Sequence, residues 1–442
     1  MKKSIFILFV LIGMASQAQV KKWTLRECVD YALENNISIK QSELDVKTSE
    51  INKKDAFGNF LPSLNASVSH SWSIGLGQDP VTFDAVNSTT RNLSGGISSG
   101  IDIYAGLRNI NQLHRSNLGI LASQYQLDKM KDDISLFVAN SFLQILFNKE
   151  QLKVLQAQHE VSKQELSRTN ELVEAGVLPR GDLLEIQATI ATQEQQIVNA
   201  ENAILISKIQ LAQILLIEDY KNFDTADVDY EVPPTNILNE SPEAIVEKAK
   251  ETRYDIKIAE TNSKMAEYDL KIAKGAMQPT LRGSYSFSSN YFTSGLFDTP
   301  DFESQISDNK NHNFGLQLSI PIFNGFAAKN NISRSKVNFE RSKNLLEQAN
   351  LDMETTVYQA YNDTKGALKA YEAALKTLAA RQEAYNYSKE RYNVGLLNAF
   401  DFSQSQNRFE AAQSEVIRTK YDYIFKLKVL EFYFGIPITE LN

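Results

Sequence analysis

The sequence predicts a mainly α chain with a minority of membrane β-strands, arranged as two structural repeats and carrying too few strands to close a barrel alone. Three observations predict it. One offset of 219 residues relates separated motifs. Stretches of 69 and 68 residues, Leu107 to Ala175 and Ala327 to Val394, contain no proline and one glycine each. Four segments alternate apolar with small polar side chains, the period of a strand with two unlike faces.

The chain opens MKKSIFILFVLIGMASQAQV, in which Lys2 and Lys3 precede an apolar run from Ile5 to Met14, with Ser16 and Ala18 as small residues near a cleavage point. Residues 1–18 therefore read as a secretory signal peptide. The run falls short of the roughly 20 apolar residues that a membrane helix needs. Cys28 is the only cysteine, so no intramolecular disulfide can form, and a buried small hydrophobe is expected there. Without the leader, 44 basic residues face 54 acidic ones, a net charge of −10 that disfavours nucleic acid. Mean hydropathy is −0.31 and no later segment approaches 18 consecutive apolar residues. That excludes a helical membrane protein but not a β-barrel wall, whose alternating segments keep average hydropathy low.

The first repeat is expected over 19–218 and the second over 242–437, joined by an acidic, proline-bearing connector at 219–241 and followed by a tail at 438–442. At the common offset Tyr104-Ala105-Gly106 falls on Phe323-Asn324-Gly325, Gly176 on Gly395 and Asp182 on Asp401. Each repeat reads as a helix, two strands, a very long helix, a break and a second long helix. Strands are expected over 62–74, 93–104, 281–292 and 313–323, and long helices over 107–175, 182–217, 327–394 and 401–434. At 1.5 Å per residue the longest helices would reach roughly 100 Å. Leu183, Ile190, Ile197, Ile204 and Leu211 recur every seven residues, as do Phe402, Phe409, Val416, Tyr423 and Leu430. Leu113, Ile120, Leu127 and Ile134 keep the same spacing, and so do Tyr371, Leu378, Tyr385 and Tyr392. Such spacing packs helices side by side as coiled coils.

In PSLNASVSHSWSIG, Leu64, Ala66, Val68, Trp72 and Ile74 alternate with serines and Asn65. The polar faces of all four segments are Ser, Asn, Gly and Gln rather than charged, and Trp72, Tyr104, Tyr291, Phe292, Phe323 and Phe326 gather towards strand ends. This fits an outer-membrane barrel wall with a wet lumen; a soluble sandwich sheet would alternate in the same way. Membrane barrels need at least about eight strands, and an open edge in lipid leaves backbone groups unpaired. Four strands in a membrane must therefore be shared among copies; three copies supply twelve strands and twelve principal helical columns. The stretches 76–91 and 293–312 read as exposed hairpin connections.

In VEAGVLPRGDLLEIQ, Gly176 ends a helix, Pro179 prevents its continuation, and Asp182 with Glu185 reads as the cap of the next helix. In RYNVGLLNAFDFSQSQ, Gly395 plays the first part and Asp401 with Gln404 the second. The signal peptide, the duplication, the strand pairs before rod-like helices and these two matched turns together resemble the TolC-type outer membrane efflux and secretion channels. The likeness covers essentially the whole mature chain. The resemblance implies a homotrimer whose 12-stranded outer-membrane β-barrel continues into a 12-helix periplasmic α-barrel. It implies a passive exit duct for a tripartite efflux pump or type I secretion system, opened at its periplasmic tip by an adaptor and coupled to an inner-membrane pump or ABC transporter. By that match Gly176, Val177, Gly395 and Leu396 form the adaptor-docking tip. Tyr392, Asp182 and Asp401 match gate positions, Leu397 and Gln404 depart from them, and Arg180 beside Asp182 is the candidate for the missing positive charge.

His70, His114, His159 and His312 are scattered without ligand spacing, so neither a metal site nor a cofactor is expected. The GLG at Gly75 to Gly77 lies between no strand and helix, and no nucleophile, base and acid fall into a catalytic arrangement. The expected activity is therefore not enzymatic. The alternative to a duct is a periplasmic coiled-coil scaffold or adaptor with a soluble sheet. Nothing in the residues selects among drug, metal or polypeptide as cargo.

Overall fold

The computed structural model describes residues 21–79, 81–227, 232 and 236–438. The expected signal peptide, Pro233 and Pro234 of the connector, and the chain beyond 438 lie outside the described residues. The path begins with β1 (Lys22–Trp23), α1 (Leu25–Asn35) and α2 (Ile37–Gly58), then the hairpin of β2 (Ser63–Gln78) and β3 (Ala85–Ala105). The 67-residue α3 (Arg108–Glu174) and the 36-residue α4 (Arg180–Leu215) follow, then β4 (Asp224–Thr225) and a 3-10 turn at Ile237–Asn239. After α5 (Pro242–Thr252) and α6 (Tyr254–Gly275) come β5 (Thr280–Ser294), α7 (Phe302–Asp308) and β6 (Asn311–Ser319). A second 67-residue helix, α8 (Ala327–Asn393), and a second 36-residue one, α9 (Ala399–Phe434), complete the chain.

Two compact units share these elements, one from residues 1–43, 126–256 and 349–442, the other from 44–125 and 257–348. In the first, Phe142, Ile145, Leu211, Leu215, Ile245, Tyr423 and Leu430 are fully buried between helices. Three of these, Leu211, Tyr423 and Leu430, belong to the seven-residue series. Cys28 is buried with them, and burial pushes its thiol up to about 12. Beside this core β1 pairs in parallel with β4. The Lys149 ammonium lies 2.8 Å from both Asp224 and Asp227 and donates to the Thr225 carbonyl at 2.9 Å, while Lys208 reaches Asp224 at 2.9 Å. With Lys22 on Asp227, these contacts tie the connector and the first strand to α3 and α4.

The helix expected before each strand pair is interrupted. Asn36 leaves α1 with ψ 133°, its amide donates to the Ile214 carbonyl at 3.0 Å, and its side-chain oxygen caps α2 at Ser38. Arg253 breaks α5 from α6 in extended backbone. Its guanidinium reaches Asp132 at 2.7 Å and stacks 3.7 Å over the Phe432 ring.

The second unit holds an antiparallel four-stranded sheet in the order β2-β3-β5-β6. Its strands differ from expectation at the ends. β2 runs on through the GLG to Gln78 and β3 begins at Ala85, because the turn is tighter than the composition implied: Asp79 accepts from the Val81 and Thr82 amides, and Phe83 adopts φ 63°. β6 stops at Ser319, short of the expected 323, since Pro321 has no N–H for the ladder. The expected loop at 293–312 contains α7. At the sheet's other end, Gly106-Leu107 and Gly325-Phe326 both turn from strand to long helix with two consecutive left-handed residues, φ 65° and 61°, then 61° and 66°.

Candidate functional site

Two features of the chain are candidate sites, a pair of helical hairpin turns in the first unit and a bare-edged sheet in the second.

Each turn is a Schellman motif centred on a left-handed glycine. At the end of α3, Gly176 has φ 71°; its N–H donates to the Val173 carbonyl at 3.0 Å, and the Val177 N–H donates to Leu172 at 2.8 Å. At the end of α8, Gly395 has φ 77°; its N–H reaches Tyr392 at 3.0 Å, and the Leu396 N–H reaches Arg391 at 2.9 Å. The motif leaves the residue after each glycine pointing outward, so Val177 and Leu396 are 67% and 68% exposed.

The two aspartates do not cap. α4 starts after Pro179, whose ring has no hydrogen-bonding group to cap with, and Asp182 sits half-buried in the first turn. The cap of α9 is Asn398, whose side-chain oxygen accepts from the Asp401 N–H at 2.8 Å while its amide donates to the Asp401 carboxylate at 3.0 Å. The sequence signal for Asn398 was present, since asparagine is a favoured cap residue and an acidic residue follows it three positions on. Arg180 is exposed, and among the described residues no ion pair joins it to Asp182.

Behind the turns the four helix ends lock together. Tyr392 stacks on Phe402 at 4.7 Å and 4°, and Tyr385 stacks on Phe409 at 5.1 Å and 13°. Leu178 and Leu397 pack against this aromatic cluster. That contact gives Leu397 an apolar task at a position where the resemblance called for a basic residue. The Tyr392 hydroxyl lies 3.3 Å from Thr169 and bonds neither Asp182 nor Asp401; burial, then the Asp182 charge, pushes it above its ordinary range. Arg168 donates to Asn393, and Lys389 pairs with Glu165 at 3.4 Å. The structure thus brings Tyr392 and Asp182 into one electrostatic neighbourhood and leaves Asp401 with Asn398.

One layer deeper lies a polar stratum that the heptad pattern does not reveal. Glu410 accepts from Gln406 at 2.8 Å and from Gln193 at 3.1 Å, and Gln406 also donates to Ser162 at 2.9 Å. Burial pushes the Glu410 carboxyl up, against the pull of those two amides. Its signal was glutamines at core-facing helical positions.

In the sheet, register puts opposed residues on a common face. Leu64, Val68, Trp72 and Ile74 of β2 share one face with Leu93 and Ile97 of β3. Across β5 that face continues through Tyr285 and Phe287 to Phe314, Leu316 and Leu318 of β6. Its side chains are open, Ile74 at 82% and Phe314 at 79%. The opposite face carries Ser67, Ser69 and Ser71, then Ser94, Gly96 and Ser98, then Ser284, Ser286 and Ser288, then Asn313, Gly315 and Gln317. Ser69 and Ser94 hydrogen-bond across it at 2.7 Å, and its charged members in the ladder are Asp102 and Arg282, which oppose each other. Gly96 is required there: a Cβ would meet the Phe287 carbonyl at 2.6 Å. β2 and β6 each pair on one side only. Among the described residues no helix is long and apolar enough to cross a membrane.

An apolar-faced sheet with a hydroxyl-lined back and two bare edges, in one chain with coiled-coil hairpins, is the arrangement expected of an outer-membrane protein that combines a β wall with long helices. A model of the family described as outer membrane efflux protein matches residues 28–215 and 245–435, and the chain belongs to that family. It is an outer-membrane protein. It is similar to the outer membrane protein TolC of Escherichia coli, 23% identical over 441 residues, covering 96% of this chain and 84% of that one. It is also similar to the pyoverdine export outer membrane protein OpmQ of Pseudomonas aeruginosa, 23% identical over 437 residues with 93% and 86% covered. Among solved structures, the outer-membrane channel OprN superposes with a TM-score of 0.78 at 17% identity, covering 94% of this chain and 90% of that one. The CmeC outer membrane channel of Campylobacter jejuni superposes with a TM-score of 0.76 at 18% identity, with 93% and 85% covered. Family members are channels rather than enzymes.

Proposed function

We propose that the protein is a passive homotrimeric exit duct of the outer membrane, serving a tripartite efflux pump or a type I secretion system. The carrying observation is the sheet: four strands with one apolar face, one hydroxyl face and two unpaired edges. In lipid those edges must be satisfied, and a ring of three chains satisfies them with a closed wall of twelve strands. The duplicated pattern, with 67- and 36-residue helices twice per chain, then supplies a twelve-helix periplasmic tunnel that is continuous with the barrel. Energy and cargo come from an inner-membrane pump or ABC transporter through a periplasmic adaptor.

In this reading the exposed Val177 and Leu396, held outward by Gly176 and Gly395, are the adaptor's docking points. Tyr392, Asp182, Asp401 and Arg180 form the periplasmic gate. Three copies of each aspartate around one axis favour cations at the constriction. Docking and capping separate experimentally: Val177→Asp with Leu396→Asp should abolish capture by the cognate adaptor while leaving the melting temperature unchanged, because neither side chain is buried. Purified protein reconstituted into planar bilayers should give discrete single-channel conductance. Detergent-free solubility without conductance would instead mean a periplasmic scaffold.

A further inference from the structure

At the end remote from α2 and α6 the sheet finishes unevenly. β2 has 16 residues and β6 has nine, and β5 loses its β6 partner after the Ser288↔Asn311 pair. From there α7 takes the place of a strand. The buried amide of Gln305 donates to the Phe292 carbonyl at 2.9 Å and accepts from the Phe292 N–H at 2.9 Å, the pair of bonds a neighbouring strand would make. Ser289 donates to the Ile306 carbonyl at 2.8 Å, and Asn309 donates to the Asn290 carbonyl at 2.7 Å. With that edge occupied, no strand can add to the outer part of β5, so on this side of the sheet a neighbouring chain can pair only along β6. Pairing confined to one short edge restricts its register.

The opposite edge carries the complement. The outer half of β2 presents Trp72, Ile74 and Leu76 on the apolar face, each more than half exposed, and has no strand on its free side. Phe302 of α7 packs against Tyr291 at 5.2 Å yet remains 51% exposed. Two unlike edges on one sheet make a head-to-tail interface, which forms a ring when the rotation between copies closes. In such a ring the nine residues of β6 can face only nine of the 16 in β2, leaving seven with no strand opposite them.

We propose that α7 stands in for the missing outer part of β6, receiving the outer half of the next copy's β2 and burying Phe302 against its Trp72–Leu76 face. The proposal rests on the trimeric reading above and adds to it the element that seals each seam beyond the last strand pair.

Cysteine pairs test it. Phe302→Cys is combined in turn with Trp72→Cys, Ile74→Cys and Leu76→Cys, leaving the fully buried Cys28 in place. A disulfide needs Cα atoms about 4.4–6.8 Å apart. After oxidation, at least one pair should yield covalent dimers and trimers on a denaturing non-reducing gel. Phe302→Cys with Leu64→Cys, displaced along β2 by roughly 26 Å, should yield none. Native mass spectrometry of the unoxidised protein separates the outcomes. A trimer that cross-links through none of the three pairs, or equally through Leu64, overturns the proposal and leaves the trimer standing; a monomer overturns both. In parallel, Phe302→Ala should lower the temperature at which the trimer dissociates in detergent by several degrees with an unchanged helical signal, and an unchanged dissociation temperature counts against the seam.

Discussion

At Gly176 and Gly395 the backbone is left-handed and a Cβ would meet nothing within 4 Å, so the glycine answers to conformation alone. Replacing either with alanine should cost about 1–2 kcal/mol, the penalty of the left-handed region for a residue with a side chain. Thermal melting of the single and double variants checks this; no loss would mean that the turn relaxes to another conformation. Glu410 offers a second test with a defined sign. Its carboxyl is raised in the folded state, so the folded form is penalised while the group is charged, and stability rises as pH falls through the folded pKa. Glu410→Gln should therefore raise the melting temperature at neutral pH and reduce the gain that mild acidification gives the unaltered protein. Residue roles were unevenly legible in the sequence. Glycines announce left-handed turns because few other residues tolerate them. Asp182 and Asp401 have the composition of caps but are not caps, because proline and asparagine, three residues earlier, define where the helix backbone begins.

Among elements, the hairpin ends depend on the aromatic stack more than on any single hydrogen bond. Phe402 is fully buried between Tyr385 and Tyr392, and Phe402→Ala should destabilise this end by about 3–5 kcal/mol. Loss of amide-exchange protection confined to residues near 385–409 would register it; uniform loss along the chain would not fit. The connector depends on Lys149 in the same way. Lys149→Ala leaves Asp224 and Asp227 without their shared partner, and residues 219–227 should become the first point of limited proteolysis. Long helices and alternating strands were legible because their periods of seven and two survive any single substitution. The kinks at Asn36 and Arg253 were not, since each is stabilised by a partner far away in sequence, Ile214 for one and Asp132 with Phe432 for the other. The same holds for α7, whose docking depends on Gln305 meeting Phe292.

For the whole molecule, the decisive property is an incomplete wall. The polar face of the sheet could line water in any setting, but the apolar face is left open by the chain itself. In the proposed trimer lipid covers that face and further copies cover the edges. The sequence alone already implied that shortage, because strand number follows from counting alternating segments; the covering of the outer part of β5 by α7 depended on three-dimensional contacts. Native mass spectrometry of the protein released from outer-membrane lipid counts the chains that complete the wall. Three chains in one particle is the predicted result, and a stable one-chain particle whose strands close on themselves would contradict it.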